Sequence, residues 1–288
     1  MIIKARARDI GGFAVRRVLP AIKQRSVGPF IFFDHMGPVE LPAGRAMDVP
    51  PHPHINLATV TYLFEGEVDH RDSLGTFETI RAGEINWMTA GRGVVHSERT
   101  PAALRDAHAT VHGIQAWVAL PEDLEDGAPS FTHYSRRSLP EATIDGAHVR
   151  VLIGDAYAQQ SPVTTLSPLF YVDAALPAGT RLPVDMHYPE RALYVVSGEV
   201  SCAGEQLGEA QMFVLPADES PSVEATSESR VMLLGGAPLG SRHMWWNFVS
   251  SSKDRLEEAK AIWANGPDAD ARFPKIPGDD KDFVPLPD

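Results

Sequence analysis

The sequence predicts an all-β fold made of two copies of one β-domain, each a sandwich or barrel, followed by a short C-terminal helix. Three observations carry this. Gly (23) and Pro (24) recur at short intervals between apolar stretches, the punctuation expected where many short strands are joined by tight turns. The phrase ATVTYLFEGEV (58–68) aligns without gaps on ERALYVVSGEV (190–200), an offset of 132 residues, and AGEINWM is echoed by LGEAQMF. A period of that length excludes a solenoid of small units and points to two copies of a whole domain.

Element by element, residues 58–68 are rich in β-branched and aromatic side chains and run into a turn at Gly66. Residues 69–73 lead to a turn at Gly75, residues 77–80 resume the sheet, Gly83 turns again, and GIQAWVAL (113–120) makes a further apolar strand. The two copies are expected to join between Pro129 and Pro140, giving domains 1–128, 129–240 and a terminal segment 241–288. In that segment SSSKDRLEEAKAIW predicts a helix: Ser251 and Asp254 match a capping box, Leu256, Ala259 and Trp263 share a face, and Gly266-Pro267 stops it. The Pro-rich tail beyond is expected to lie extended across a barrel surface.

Composition narrows the function. Hydrophobic residues make up 43% and charged residues 22% of 288, the profile of an ordinary soluble globular protein. A net charge of −12 without a compensating basic cluster argues against nucleic acid and anionic membrane surfaces as partners. No signal-peptide pattern and no run of about 18 apolar residues is present. Cys202 is the only cysteine, which excludes an intrachain disulfide and suits a reducing cytoplasm.

Chemistry concentrates in two short phrases. PHPHIN places His52 and His54 two apart, and GRGVVHSER places His96 and Glu98 with the same spacing. In an extended segment residues i and i+2 face the same way. If the two segments are neighbouring strands, three imidazoles and one carboxylate converge, a donor set suited to one divalent Fe, Mn, Co, Ni, Cu or Zn ion rather than to calcium or magnesium. A single histidine is more often a hydrogen-bonded surface or core residue, but two such dyads in one β-domain favour ligands. His35 and His70 stand isolated and are expected outside the site. Asp34 could position a substrate hydroxyl, while Phe30, Phe32, Phe33 and Trp87 read first as core and only second as a pocket wall. GRGVV (91–95) lacks the Lys and Ser/Thr of a phosphate loop, and Cys202 reads as a packed thiol rather than a nucleophile.

The phrases VGPFIFFDHMGP, PHPHINLATVTYLFEGEVDHRDSLG, GEINWMTAGRGVVHSE, GIQAWVALP and WWNFVSSSKDRLEEAKAIW follow one another across nearly the whole chain. In this order they resemble the pirin family of the cupin superfamily. The resemblance implies a bicupin of two jelly-roll β-barrels, with the first barrel's metal on His52, His54, His96 and Glu98. The general cupin pattern places a glutamate four residues after the second histidine, where Ala58 stands here, so Glu98 is expected to supply the carboxylate. The repeat sets Val184 and Met186 at the places of His52 and His54, Glu190 falls where the vacated carboxylate would be, and His187 is one residue out of register. The second barrel is therefore expected to hold no metal.

The resemblance further implies an iron(II)-dependent dioxygenase that cleaves a flavonol such as quercetin with dioxygen as co-substrate; four protein ligands would leave positions open for a bidentate hydroxy-ketone, for which Glu98 is the natural base. The alternative it implies is a non-catalytic, redox-responsive regulatory metalloprotein acting through a protein partner. A third reading is a cupin isomerase or small-molecule binder.

Overall fold

The computed structural model describes residues 1–10, 13–184, 187–217 and 219–287. They form short strands and one α-helix, Lys253–Trp263, so the all-β expectation with a short C-terminal helix holds. No helix among them is long and apolar enough to cross a membrane.

The chain divides into two compact units. One gathers residues 1–7, 16–35 and 134–238, and the other residues 8–15, 36–133 and 239–288. The expected contiguous ranges 1–128, 129–240 and 241–288 differ from this division at both ends: residues 239–288 group with the first repeat, and residues 16–35 and 1–7 group with the second. For residues 1–7 the physical reason is pairing: strand Ile2–Lys4 lies antiparallel to Gln211–Val214, with Ile3 opposite Met212.

The repeat is visible in sheet order. In the unit containing residues 36–133, a four-stranded sheet runs Val49–His54, Val94–Arg99, Glu67–Asp72, Phe77–Arg81. In the other unit the order is Arg181–Pro183, Ser222–Ala225, Glu199–Cys202, Glu205–Gly208. A second sheet in each repeat has matching order at its centre, Ile85–Thr89, Leu57–Glu65, Ala109–Ala119 in the first copy and Gln211–Val214, Glu190–Ser197, Ser229–Gly236 in the second. Each aligned phrase turns at a glycine of positive φ, Gly66 at +86° and Gly198 at +82°. A Cβ there would strike the carbonyl oxygen of Thr110 or Glu228 respectively, so only glycine fits both hairpins.

The second unit is filled by an apolar core that includes Val149, Phe170, Val172, Leu182, Val184, Leu193, Val223 and Leu233. Val184, at the place of His52, is part of this core, and His187 is exposed. Met186 lies outside the described residues. Glu190 accepts a hydrogen bond from the Gly28 backbone N–H at 2.6 Å.

Cys202 packs into the same core at 2% exposure. Burial, reinforced by Glu219 and Glu224, pushes its thiol up to about 11. The native protein is expected to react only slowly with a disulfide reagent at pH 8 and to titrate fully in urea. Stoichiometric reaction of the native protein within seconds would contradict the packing.

The other candidates weighed from sequence resolve as core. Arg17 donates two hydrogen bonds of 2.8 Å to the Asp34 carboxylate. Phe30 and Phe33 pack against Tyr171, and Phe32 is 5% exposed beneath the Arg17 guanidinium. Trp87 is buried and donates to Thr89 Oγ1. His35 is fully buried beside Tyr194, 2.7 Å from its hydroxyl.

Candidate metal centre

The two histidine phrases are neighbouring antiparallel strands. Val49–His54 pairs with Val94–Arg99 so that His96 stands opposite His52 and Val94 opposite His54. Their alternation sorts the faces. His52, His54 and His96 point to one side. On the other, Val95 and Ile55 enter a cluster with Phe248, Leu256, Ala259, Trp263 and Phe273. The C-terminal helix therefore braces the two histidine-bearing strands from behind.

The turn that delivers the second phrase depends on Gly91, at φ +51°. A Cβ there would strike the carbonyl oxygen of Gly127. Gly91→Ala is expected to destabilise the unit by about 1–3 kcal/mol, measured by urea unfolding. An unchanged midpoint would contradict this account of the turn.

The metal-competent nitrogens of His52, His54 and His96 all lie within 4.8 Å of one another. His54 Nε2 and His96 Nε2 are 3.1 Å apart. His52 Nδ1 is 2.9 Å from the Pro50 carbonyl and His54 Nδ1 is 3.0 Å from the Asn247 carbonyl. A carbonyl oxygen only accepts, so both rings carry their proton on Nδ1 and turn an Nε2 lone pair inward.

Burial favours the neutral ring. It lowers His52 to about 4 against the opposing Pro50 hydrogen bond. His54 and His96 are lowered well below the ordinary value, by burial first and then by neighbouring histidines. Three neutral imidazoles whose nitrogens converge fit a divalent transition metal.

Glu98 stands on the same strand face as His96, outside that tight group, and accepts a hydrogen bond from Gln115 Nε2 at its Oε1. Burial pushes its carboxyl up to about 7, with the Gln115 bond acting in the opposite direction. Gln115 was not singled out from sequence, although one polar residue inside the apolar GIQAWVAL strand was the signal available.

His70 departs from expectation. It is 5% exposed, with its Nδ1 3.4 Å from His96 Nδ1 and its Nε2 3.0 Å from Asp72 Oδ2. The reason is pairing: Glu67–Asp72 is the other neighbour of Val94–Arg99, setting His70 opposite Glu98 and Asp72 opposite His96. Burial opposes ionisation of Asp72, but hydrogen bonds from His70 and Thr76 hold its carboxyl below the ordinary range.

The tail clasps the outer side. Asp279 accepts hydrogen bonds from Ser97 Oγ at 2.7 Å and from Arg99 Nε at 3.0 Å, Arg99 also reaches Asp282, and the Val284 N–H donates to the Pro51 carbonyl. Burial works against ionisation of Asp279, yet Arg99 and Ser97 hold its carboxyl below the usual range. A carboxyl depressed on folding contributes stability that is present above its unfolded value, about 3.9, and lost as pH falls through the folded value. Tail docking is expected to loosen below about pH 4, read by the fluorescence of Trp263, whose Nε1 donates to the Val284 carbonyl. Asp279→Asn should show the loosened signal at neutral pH, and a signal identical to the parent's would refute the clasp.

Residues 12–118 match the pirin family model and residues 171–269 match the pirin C-terminal cupin domain. A pirin-like protein of Caulobacter vibrioides is 47% identical over 100% of this chain and 99% of its own. A Pseudomonas aeruginosa protein named "Putative quercetin 2,3-dioxygenase" is 38% identical over 95% of this chain and 85% of its own. The crystal structure of a quercetin 2,3-dioxygenase from Acinetobacter baumannii superposes with a TM-score of 0.92 at 35% identity, covering 100% of this chain and 94% of that one. With both family models matched in order and relatives aligned end to end, the chain belongs to the pirin family, a bicupin with a buried histidine triad in its first repeat.

Proposed function

We propose that this pirin is a metal-dependent dioxygenase that cleaves a flavonol such as quercetin, consuming dioxygen and releasing carbon monoxide. The observation that carries the reading is the convergence of one ring nitrogen from each of His52, His54 and His96 within 4.8 Å, beside the half-buried Glu98. The dioxygenase names of relatives at 38% and 35% identity support it.

His52, His54 and His96 would hold one divalent ion and Glu98 would complete the set. Iron(II) is the proposed metal, though the same donors suit Mn, Co, Ni, Cu or Zn. When bound, the ion supplies Lewis acidity that lowers the pKa of a substrate hydroxyl. Glu98 is the proposed base: Gln115 occupies Oε1, so Oε2 receives the flavonol hydroxyl proton. The three neutral histidines keep the local charge low enough to admit the resulting anion. The lone buried Cys202 suits a cytoplasmic setting.

Oxygen uptake over a panel of hydroxy-ketones tests the reading. Flavonol loss is expected to match dioxygen consumption and to vanish in His96→Ala. Unchanged flavonol loss under anaerobic conditions would refute it. A protein with full metal and no uptake on any member would favour the non-catalytic, redox-responsive alternative acting through a protein partner.

A further inference from the structure

We propose that Asp72 and His70 form a positioning relay that fixes His96 in the tautomer presenting Nε2 to the metal. The inference rests on the reading of His52, His54 and His96 as ligands and assigns roles to two residues outside that set.

His96 differs from the other two ligands in how its rear nitrogen is held. His52 and His54 are locked by backbone carbonyls. His96 Nδ1 instead faces another imidazole nitrogen, His70 Nδ1, at 3.4 Å. Two such nitrogens share one proton, and geometry at that contact alone does not say which ring carries it.

The far side of His70 decides. Its Nε2 meets Asp72 Oδ2 at 3.0 Å, and a carboxylate only accepts, so His70 carries its proton on Nε2. Its Nδ1 is then an acceptor, His96 carries its proton on Nδ1, and the His96 Nε2 lone pair turns inward beside His54 Nε2.

Three further contacts make the relay rigid. Asp72 is fully buried, and its Oδ1 accepts the Leu74 and Thr76 backbone N–H groups at 2.9 and 3.0 Å. Phe131 stacks on the His70 ring at 4.4 Å between centroids and 20° between planes. Outer partners of this kind orient ligating histidines and raise their basicity.

The isosteric change Asp72→Asn makes a sharp test. The Leu74 and Thr76 amides would keep the side-chain oxygen, leaving the new amide N–H facing His70 Nε2. His70 must then accept there and carry its proton on Nδ1, which drives the His96 proton onto Nε2, the metal-facing atom. Zinc(II) affinity, read by competition with a chelator, is expected to fall about 10–100-fold. Long-range nitrogen-15 spectra of the metal-free protein should move the His96 proton from Nδ1 to Nε2.

Position 70 gives an independent arm. His70→Asn can offer a carbonyl oxygen near the lost Nδ1, whereas His70→Leu offers none. Both lose the imidazole that stacks on Phe131, so a purely structural role predicts equal losses and the relay predicts a clearly smaller loss for Asn. Asp72→Asn binding zinc(II) as tightly as the parent, with the His96 proton unmoved, or equal losses in the two His70 variants, would overturn the relay. Full zinc binding by His96→Ala would instead overturn the metal reading beneath it.

Discussion

His96→Ala is expected to leave the purified protein without stoichiometric metal. His96 packs against both His52 and His54, with ring centroids at 4.4 and 5.0 Å, and supplies one of three converging nitrogens. Loss of an outer partner alone costs about 10–100-fold in metal affinity, so removal of a direct donor should exceed about 100-fold. Elemental analysis after dialysis reads the result. Glu98→Ala is expected to lose metal as well, because Ala58 offers no replacement at the usual cupin carboxylate position. Full metal content in both variants would remove the assignment.

Glu125→Ala is expected to cost about 3–5 kcal/mol of stability, the range for stripping one partner from a buried charge cluster. Glu125 is wholly buried. Its Oε1 lies 3.1 Å from Arg242 Nε, and its Oε2 lies 2.8 Å from Arg255 Nη1. Ser250 Oγ, Ser251 Oγ and the Ser251 backbone N–H also donate to it. The Arg242 side chain is 6% exposed, so truncation leaves a guanidinium largely out of water and without its carboxylate.

The cost reaches the metal centre, because this anchor secures the segment whose Asn247 carbonyl orients His54. Urea unfolding should show the loss and chelator competition a weaker site. A change under about 1 kcal/mol would show that the cluster is better solvated than its burial implies.

The two-copy fold was legible because duplication leaves a gapless phrase, and the hairpin glycines 66 and 198 impose the same backbone on both copies. The clustering of His52, His54 and His96 was legible because i, i+2 spacing needs only local strand geometry. His70 was not, since its relation to His96 is set by which strand lies alongside Val94–Arg99, a fact of sheet order rather than spacing. In retrospect His70 and Asp72 repeat the same i, i+2 pattern, but the second member is a carboxylate.

The helix shows the same limit at finer grain. Leu256, Ala259 and Trp263 are its buried face as expected. Its N-cap, however, is Ser252, without a side-chain cap, rather than the capping-box Ser251. Ser251 was drawn away by Glu125, 126 residues earlier in sequence, a partner no local motif announces. Asp279 and Asp282, which clasp Arg99, were hidden for the same reason.

The most direct test of the metal centre is X-ray absorption at the edge of the metal that the purified protein carries. The account predicts three imidazole nitrogens and one carboxylate oxygen from the protein, the remaining positions being filled by water. A shell containing sulfur, four imidazoles, or no imidazole scattering would contradict it.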